Sequence, residues 1–184
     1  TLLEQMKSGI FSDDLVNYAM ALTSAGSDAR MAGCTMSVMS NSGSGNQGIT
    51  ATLPVVGAFR RMNLPEEKLI RAVTLSNLVT IYIKLKFGRL SALCGVTIAG
   101  TGASCGIAYL LGGDLVAIKA AIQNMMANVT GMLCDGAKTG CALKVSTCVN
   151  AAIQSAMMAV KGIVVQPTDG IVEEDPEKRS ENLC

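Results

Sequence analysis

An uninterrupted stretch without charge, residues 90–113, constrains the fold more than any other feature of this sequence. The stretch is long enough to span a bilayer. Glycine, serine and threonine recur along it, and these residues weaken membrane insertion while allowing helices to pack closely. We therefore predict a buried, Gly-rich central helical segment enclosed by other helices, and we expect no membrane partner. The small and polar residues concerned are Gly95, Thr97, Gly100, Thr101, Gly102, Ser104 and Gly106.

Three helices are predicted before this segment. The first covers residues 12–25, begins at a serine followed by two aspartates, and is expected to end near Gly26. The second covers about 49–62. The third covers 65–84, with proline and acidic residues in its first turn. A β-branched run at 78–83 leaves a strand open as an alternative within the third.

Two further helices are predicted after the uncharged segment. A periodic apolar stripe follows Asp114, and a second stripe leads from a turn at 135–140 to Gly162. With no internal repeat and no low-complexity linker, we predict a single all-α domain over residues 1–184.

The hydrophobic content of the chain is high. It reaches 49%, with a mean hydropathy of +0.40, and the sequence opens without methionine. A polar tail ends just after an apparent helix start at 175–177. We interpret the chain as an excerpt of a longer protein, so that a missing N-terminal region is one expected partner. Unburied apolar surface also makes a homo-oligomer a possible state.

The charge pattern excludes several classes of function. The net charge is +1 and the basic residues are dispersed, so we expect no nucleic-acid partner. The chain contains no histidine, which removes the commonest general base, Cys/His zinc sites and Ser-His or Cys-His catalytic pairs. Any chemistry must therefore come from Cys, Lys, Asp, Glu, Ser or a cofactor.

Cysteine is the residue type best placed to supply that chemistry. There are seven, and no signal peptide precedes them, so we expect a cytoplasmic protein whose thiols are reduced, metal-bound or buried. Cys134 and Cys141 bracket a glycine-containing turn, which can bring two thiols toward one metal centre. Cys148 lies two helical turns beyond Cys141, about 10 Å along the axis, and fits the core better. A third ligand remains open among Cys34, Cys94, Cys105 and Cys148.

Four runs are similar to the serine dehydratase α-chain superfamily, especially its L-cysteine desulfidase-like branch: SGSGNQG at 42–48, LCG at 93–95, GTGASCG at 100–106 and MLCDGAKTGCALK at 132–144. The resemblance implies a 4Fe-4S cluster held by three thiolates, with one iron free for substrate. Carried over, the ligands would be Cys94, Cys134 and Cys141. The compact C-x6-C spacing favours the desulfidase-like branch over the serine dehydratase branch.

That resemblance implies a β-elimination on a small amino acid. The expected reaction converts L-cysteine to pyruvate, ammonia and sulfide, and the alternative is L-serine dehydration to pyruvate and ammonia. Lys144, Lys138 and Asp135 surround the second thiol pair and are the candidate catalytic residues. Either lysine would stabilise anionic substrate or hydrogen-bond a cluster sulfur. Asp135 would orient Lys138 or, as the alternative, cap the following helix. A base for the Cα proton is not evident. An alternative of another class is a non-catalytic helical interaction module with inert cysteines.

The loop at 42–48 is the candidate substrate site. Its glycines let backbone N–H groups converge at the start of a helix, an arrangement that favours a carboxylate. We predict that Ser42, Ser44, Asn46 and Gln47 bind the substrate carboxylate, against the alternative of an ordinary helix-entry loop.

The same loop also resembles the Ser-Gly-Asn loop of fold-type-II pyridoxal-phosphate enzymes, which catalyse similar eliminations. Such an enzyme needs a Schiff-base lysine and an α/β scaffold. The only lysine before the loop is Lys7, and no strand-helix alternation is present. The sequence therefore favours the iron-sulfur interpretation.

Overall fold

The computed structural model describes residues 2–88, 92–129 and 131–169. Within these residues the chain forms seven α-helices and no β-strand, which confirms the all-α prediction. The assignment of residues 1–184 to one domain stays a prediction, and the predicted helix start at 175–177 lies outside the described residues. The helices are α1 (Leu2–Lys7), α2 (Leu15–Met31), α3 (Gly45–Arg60), α4 (Glu66–Phe87), α5 (Gly95–Leu110), α6 (Leu115–Val129) and α7 (Cys141–Val160).

Helix α5 is the centre of the fold. It lies in the uncharged segment, and α3, α4, α6 and α7 all pack against it. Thirteen of its sixteen residues are buried, so the predicted Gly-rich core segment is confirmed. None of the helices in the described ranges is both long and apolar enough to cross a membrane.

Glycine sets the distance between α5 and α4. A β-carbon added at Gly102 would overlap the Ser76 carbonyl oxygen and the Thr80 hydroxyl, and one added at Gly106 would lie 2.7 Å from the Ala72 carbonyl oxygen. Because both positions lack a side chain, the two helices can approach backbone to backbone.

Two boundary predictions were wrong. Helix α2 begins at the expected acidic start, with the Asp14 carboxylate accepting a hydrogen bond from the Asn17 N–H, but it continues through Gly26 to Met31. Gly26 instead makes room for α3, because a β-carbon there would lie 3.0 Å from Leu53. Helix α3 begins at Gly45 rather than near residue 49, since the Ser44 hydroxyl caps it.

The strand alternative for residues 78–83 was also wrong. These residues belong to α4, where Thr80 and Ile83 are buried while Leu78 is exposed. The β-branched composition is overridden here by burial on one face of a long helix.

Candidate functional site

A short backbone bridge forms the centre of the candidate site. Residues 92–94, just before α5, run antiparallel to residues 132–134, just before the turn that leads to α7. The Cys94 N–H donates to the Met132 carbonyl at 2.9 Å, and the Cys134 N–H donates to the Ala92 carbonyl at 2.8 Å. Cys94 and Cys134 thus occupy diagonal positions of an antiparallel pair, which ordinarily lie about 7–8 Å apart.

The three thiols predicted as ligands are gathered around this bridge. Cys94 is buried at the start of α5, Cys141 is half-buried at the start of α7, and Cys134 is exposed between them. Burial raises the pKa of the Cys94 thiol; a nearby Val96 N–H opposes that rise, while Cys134, Lys144 and Cys141 all act on it electrostatically. The structure therefore places Cys94 within electrostatic range of both other thiols.

The chemistry of this donor set fits an iron-sulfur cluster. Thiolates are the ordinary protein ligands of such clusters, and a basic side chain beside them offsets their negative charge. In the ranges that the structure describes, no three His, Cys, Asp or Glu side chains converge closely enough to hold a single metal ion.

The other described cysteines lie in different surroundings, although Cys148 also interacts electrostatically with Cys94. Cys148 lies in the core, as predicted, where burial raises the pKa of its thiol to about 12. Cys105 is fully buried in α5, and burial likewise raises its pKa to about 12. Cys34 is exposed after α2, beside an apolar groove lined by Met36 and Met39 among others. Cys184 lies outside the described residues.

Asp135 joins the two lysines of the second thiol pair. Its carboxylate accepts from the ammonium groups of Lys138 and, at 2.7 Å, of Lys144. These two hydrogen bonds hold the pKa of Asp135 well below its usual range, and the bond from Lys138 has the larger effect. The bond to Asp135 in turn raises the pKa of Lys144. The alternative of Asp135 as the cap of α7 is wrong, because Gly140 occupies that cap position.

The substrate loop contains a tight turn before α3. Asn41 and Ser44 exchange two backbone hydrogen bonds of 3.1 and 3.0 Å, and both Ser42 and Gly43 have positive φ values of 49° and 84°, as a type I′ turn requires. The Ser44 hydroxyl then accepts from the Gln47 N–H at 3.3 Å. Among the described residues, the N–H groups of Gly45 and Asn46 donate no hydrogen bond, as expected in a first helical turn.

The four predicted substrate residues differ in their surroundings. Ser42 is exposed and donates to the Asn41 side chain, while Ser44 is half-buried. Asn46 is buried, and its side-chain oxygen accepts from the Ser27 hydroxyl of α2 at 3.3 Å. Gln47 is buried beside the thiol site, since a β-carbon added at Gly95 would lie 2.6 Å from its Oε1. The structure thus joins the substrate loop to the residue that follows Cys94.

Sequence reasoning missed three residues around this loop. The guanidinium group of Arg30 in α2 packs against Gly45: its carbon lies 2.8 Å from the position that a β-carbon of Gly45 would occupy. Arg30 therefore places a positive charge at the N-terminus of α3. Asn41 and Asn77 link the loop to α4 through an amide hydrogen bond of 2.9 Å. Asn41 borders the motif and carries a turn-forming signal. Arg30 and Asn77 are distant in sequence and carry no such signal.

The fold and site together define an all-α protein in which a group of thiols lies close to the N-termini of α3, α5 and α7. Its sequence matches the family described as "Serine dehydratase alpha chain" over residues 2–184. The chain therefore belongs to the serine dehydratase α-chain family, which confirms the resemblance seen in its motifs.

Bacterial relatives cover nearly all of this chain. It is 51% identical over 184 residues to a UPF0597 protein of Oleidesulfovibrio alaskensis, covering 100% of this chain and 43% of that protein. It is 53% identical over 174 residues to a UPF0597 protein of Bacteroides thetaiotaomicron, covering 95% and 41%. The chain thus spans less than half the length of these curated relatives. No solved structure matches it.

Lys144 and Lys138 should differ in their effect on the thiol site. Lys144 also donates to the Leu133 carbonyl at 2.7 Å, so it ties α7 to the bridge. Lys138 is more exposed, and the only described side chain that it pairs with is Asp135. We expect Lys144→Met to accelerate anaerobic iron loss to a chelator by about tenfold or more, because side chains that support metal ligands strengthen metal binding. The matched variant Lys138→Met should change that rate by less than about twofold. Equal rates in the two variants would contradict the assignment of Lys144.

Proposed function

We propose that this chain carries the iron-sulfur site of an amino-acid lyase that eliminates the β-substituent of L-cysteine. The observation that supports it most is the backbone bridge that holds Cys94 beside Cys134, with Cys141 and Lys144 within electrostatic range. The products would be pyruvate, ammonia and sulfide. Because the chain spans 43% of the Oleidesulfovibrio alaskensis relative, the activity of the whole protein is part of this proposal.

The thiols would act as cluster ligands. Cys94, Cys134 and Cys141 would hold a 4Fe-4S cluster, and Lys144 would lie beside it as a fixed positive charge. When bound, such a cluster supplies Lewis-acid chemistry at an iron that has no protein ligand. Burial of Cys94 would keep water from one side of the site.

The first turn of α3 would bind the substrate carboxylate. The N–H groups of Gly45 and Asn46, the Ser44 hydroxyl and the Arg30 guanidinium all supply donors or positive charge there. A helix N-terminus with a neighbouring cation is a favourable environment for an anion. The loop would thus fix the orientation of the amino acid relative to the thiol site.

Lys144 and Asp135 are suited to charge balance and not to proton abstraction. Asp135 is a weak base because its pKa is lowered, and Lys144 stays protonated because its pKa is raised. In the elimination, the Cα proton leaves to a base, the electron pair forms the Cα–Cβ double bond, and the Cβ–S bond breaks with sulfur leaving as hydrosulfide. The aminoacrylate then hydrolyses to pyruvate and ammonia. We therefore place Lys144 and Lys138 as stabilisers of the anionic substrate.

Product analysis tests this proposal directly. The chain, expressed with any residues that flank it in its gene, would be reconstituted anaerobically and supplied with L-cysteine or L-serine. We expect about four iron and four sulfide per chain, and equal amounts of pyruvate and newly released sulfide from L-cysteine. A higher kcat/KM for L-serine than for L-cysteine would identify serine as the substrate in place of cysteine. A loaded cluster with no product from either amino acid would contradict lyase activity, and a chain that takes up no cluster would favour the helical interaction module.

A further inference from the structure

The Gln47 side chain stands out among the buried polar groups near the thiol site. Only 1% of the residue is exposed, and its Oε1 lies against Gly95, next to Cys94. Its Nε2 donates to the Asn41 side-chain oxygen at 3.3 Å. In the part of the chain that the structure describes, no further side-chain hydrogen bond of Gln47 is found, and Oε1 is not one of the fully buried polar atoms that lack a partner. The oxygen therefore keeps some accessible surface, through which it can accept a hydrogen bond from a ligand that donates.

A chain of amide groups fixes which end of Gln47 faces the site. It starts at a backbone carbonyl, which can only accept: the Asn77 Nδ2 donates to the Val73 carbonyl at 3.0 Å, so the Asn77 Oδ1 must face Asn41. The Asn41 Nδ2 donates to that oxygen and to the Asn77 carbonyl. The Asn41 Oδ1 consequently faces Gln47, and only the Gln47 Nε2 can meet it.

This orientation makes Gln47 an acceptor toward the thiol site. An amide flip would place two acceptors opposite each other at Asn41, where the Ser42 hydroxyl already donates at 2.9 Å. An acceptor oxygen repels a carboxylate and favours a positively charged N–H donor. The sequence motif alone had placed Gln47 among the carboxylate contacts, and the amide chain favours the opposite pole of the amino acid.

We infer that the Gln47 Oε1 accepts a hydrogen bond from the α-ammonium group of the substrate and so selects amino acids over the corresponding carboxylic acids. This inference rests on the proposed function, because it takes an amino acid as the ligand. Asn41 and Asn77 are positioning residues that keep the amide oriented. The substrate carboxylate remains with the α3 N-terminus.

A pair of unreactive ligands tests the inference without turnover. L-Alanine and propanoate both lack a β-leaving group and differ in the α-ammonium group alone. Their dissociation constants would be measured by anaerobic titration calorimetry on the cluster-loaded protein, for the unchanged chain and for Gln47→Met. Methionine matches the size of glutamine without an amide oxygen.

We expect the unchanged chain to bind L-alanine at least tenfold more tightly than propanoate. Gln47→Met should weaken L-alanine binding by about tenfold or more, as expected for a hydrogen bond to a charged group, while propanoate binding changes less than twofold. The ratio of the two constants is unaffected by a fraction of unfolded protein, so a stability defect does not imitate the result.

Two results would overturn the inference and leave the proposed function standing. One is that Gln47→Met still prefers L-alanine over propanoate by the same factor as the unchanged chain. The other is that Gln47→Met weakens the binding of both ligands equally, which would indicate a carboxylate contact or a structural role. Failure of the unchanged chain to bind either ligand would overturn the proposed function as well. That outcome is distinguishable because it is seen without any substitution.

Discussion

Replacing Cys134 and Cys141 together by serine is expected to remove the iron and acid-labile sulfide from the anaerobically reconstituted protein, with complete loss of elimination activity. Both residues flank the turn that leads into α7, and serine offers a poor ligand for iron-sulfur clusters. The unchanged chain should hold about four iron per chain, and the variant should hold less than a tenth of that amount. Iron, sulfide and the visible spectrum would be measured on the same samples.

Cys34→Ser is the matched control for this experiment. Cys34 is a described thiol that is exposed like Cys134 but lies after α2, away from the bridge. Its substitution should leave iron content and activity unchanged. Full iron content in the double variant, or equal loss in the control, would contradict the assignment of the ligands.

Replacing Gly102 by alanine should destabilise the whole fold. The added β-carbon would overlap a backbone carbonyl, that of Ser76, which cannot move without shifting α4. Overpacking costs roughly 1–3 kcal/mol, and overlap with a backbone carbonyl places this case at the upper end of that range. The helix propensity of alanine returns about 1 kcal/mol. We expect a net loss of about 2 kcal/mol in the free energy of unfolding, and a thermal midpoint lower by roughly 4–8 °C.

Gly100→Ala in the same helix provides the comparison. A β-carbon there would lie 3.2 Å from the terminal methyl of Met125, a flexible side chain that can turn away. It would also lie 3.3 Å from the Cys148 β-carbon and 3.4 Å from the Cys148 carbonyl oxygen, which need to move by only a few tenths of an ångström. The gain in helix propensity should therefore keep the change in unfolding free energy within about 1 kcal/mol. Chemical denaturation of both variants would separate the two cases, and equal destabilisation would show that close approach of α4 is not what requires Gly102.

Much of the fold was predictable because it depends on local signals. The uncharged segment is a continuous run, and the acidic start of α2 and the Asp114 start of α6 each act within one helical turn. At the start of α6 the Asp114 carboxylate accepts from the Ala117 N–H at 2.9 Å. The end of α2 was not predictable in this way. Gly26 usually signals a helix end, and here contact with α3, formed only in the folded chain, keeps it helical.

The candidate site was predictable to the extent that its residues lie within motifs. Spacing alone indicated Cys134 and Cys141 but left four candidates for a third ligand, and family resemblance selected Cys94. The pairing of residues 92–94 with 132–134 joins segments about forty positions apart and leaves no pattern in either segment. The same holds for Asn77, which reaches Asn41 across 36 positions.

The bridge between residues 92–94 and 132–134 also bears on how this family can vary in length. Side chains in a strand alternate between faces, so inserting or deleting one residue beside Cys94 would turn its thiol to the opposite face of the pair. Core substitutions leave that register intact, since two backbone hydrogen bonds determine it. Natural length variation should consequently be absent from the segments 92–94 and 132–134 and tolerated in loops such as the one that joins α3 to α4.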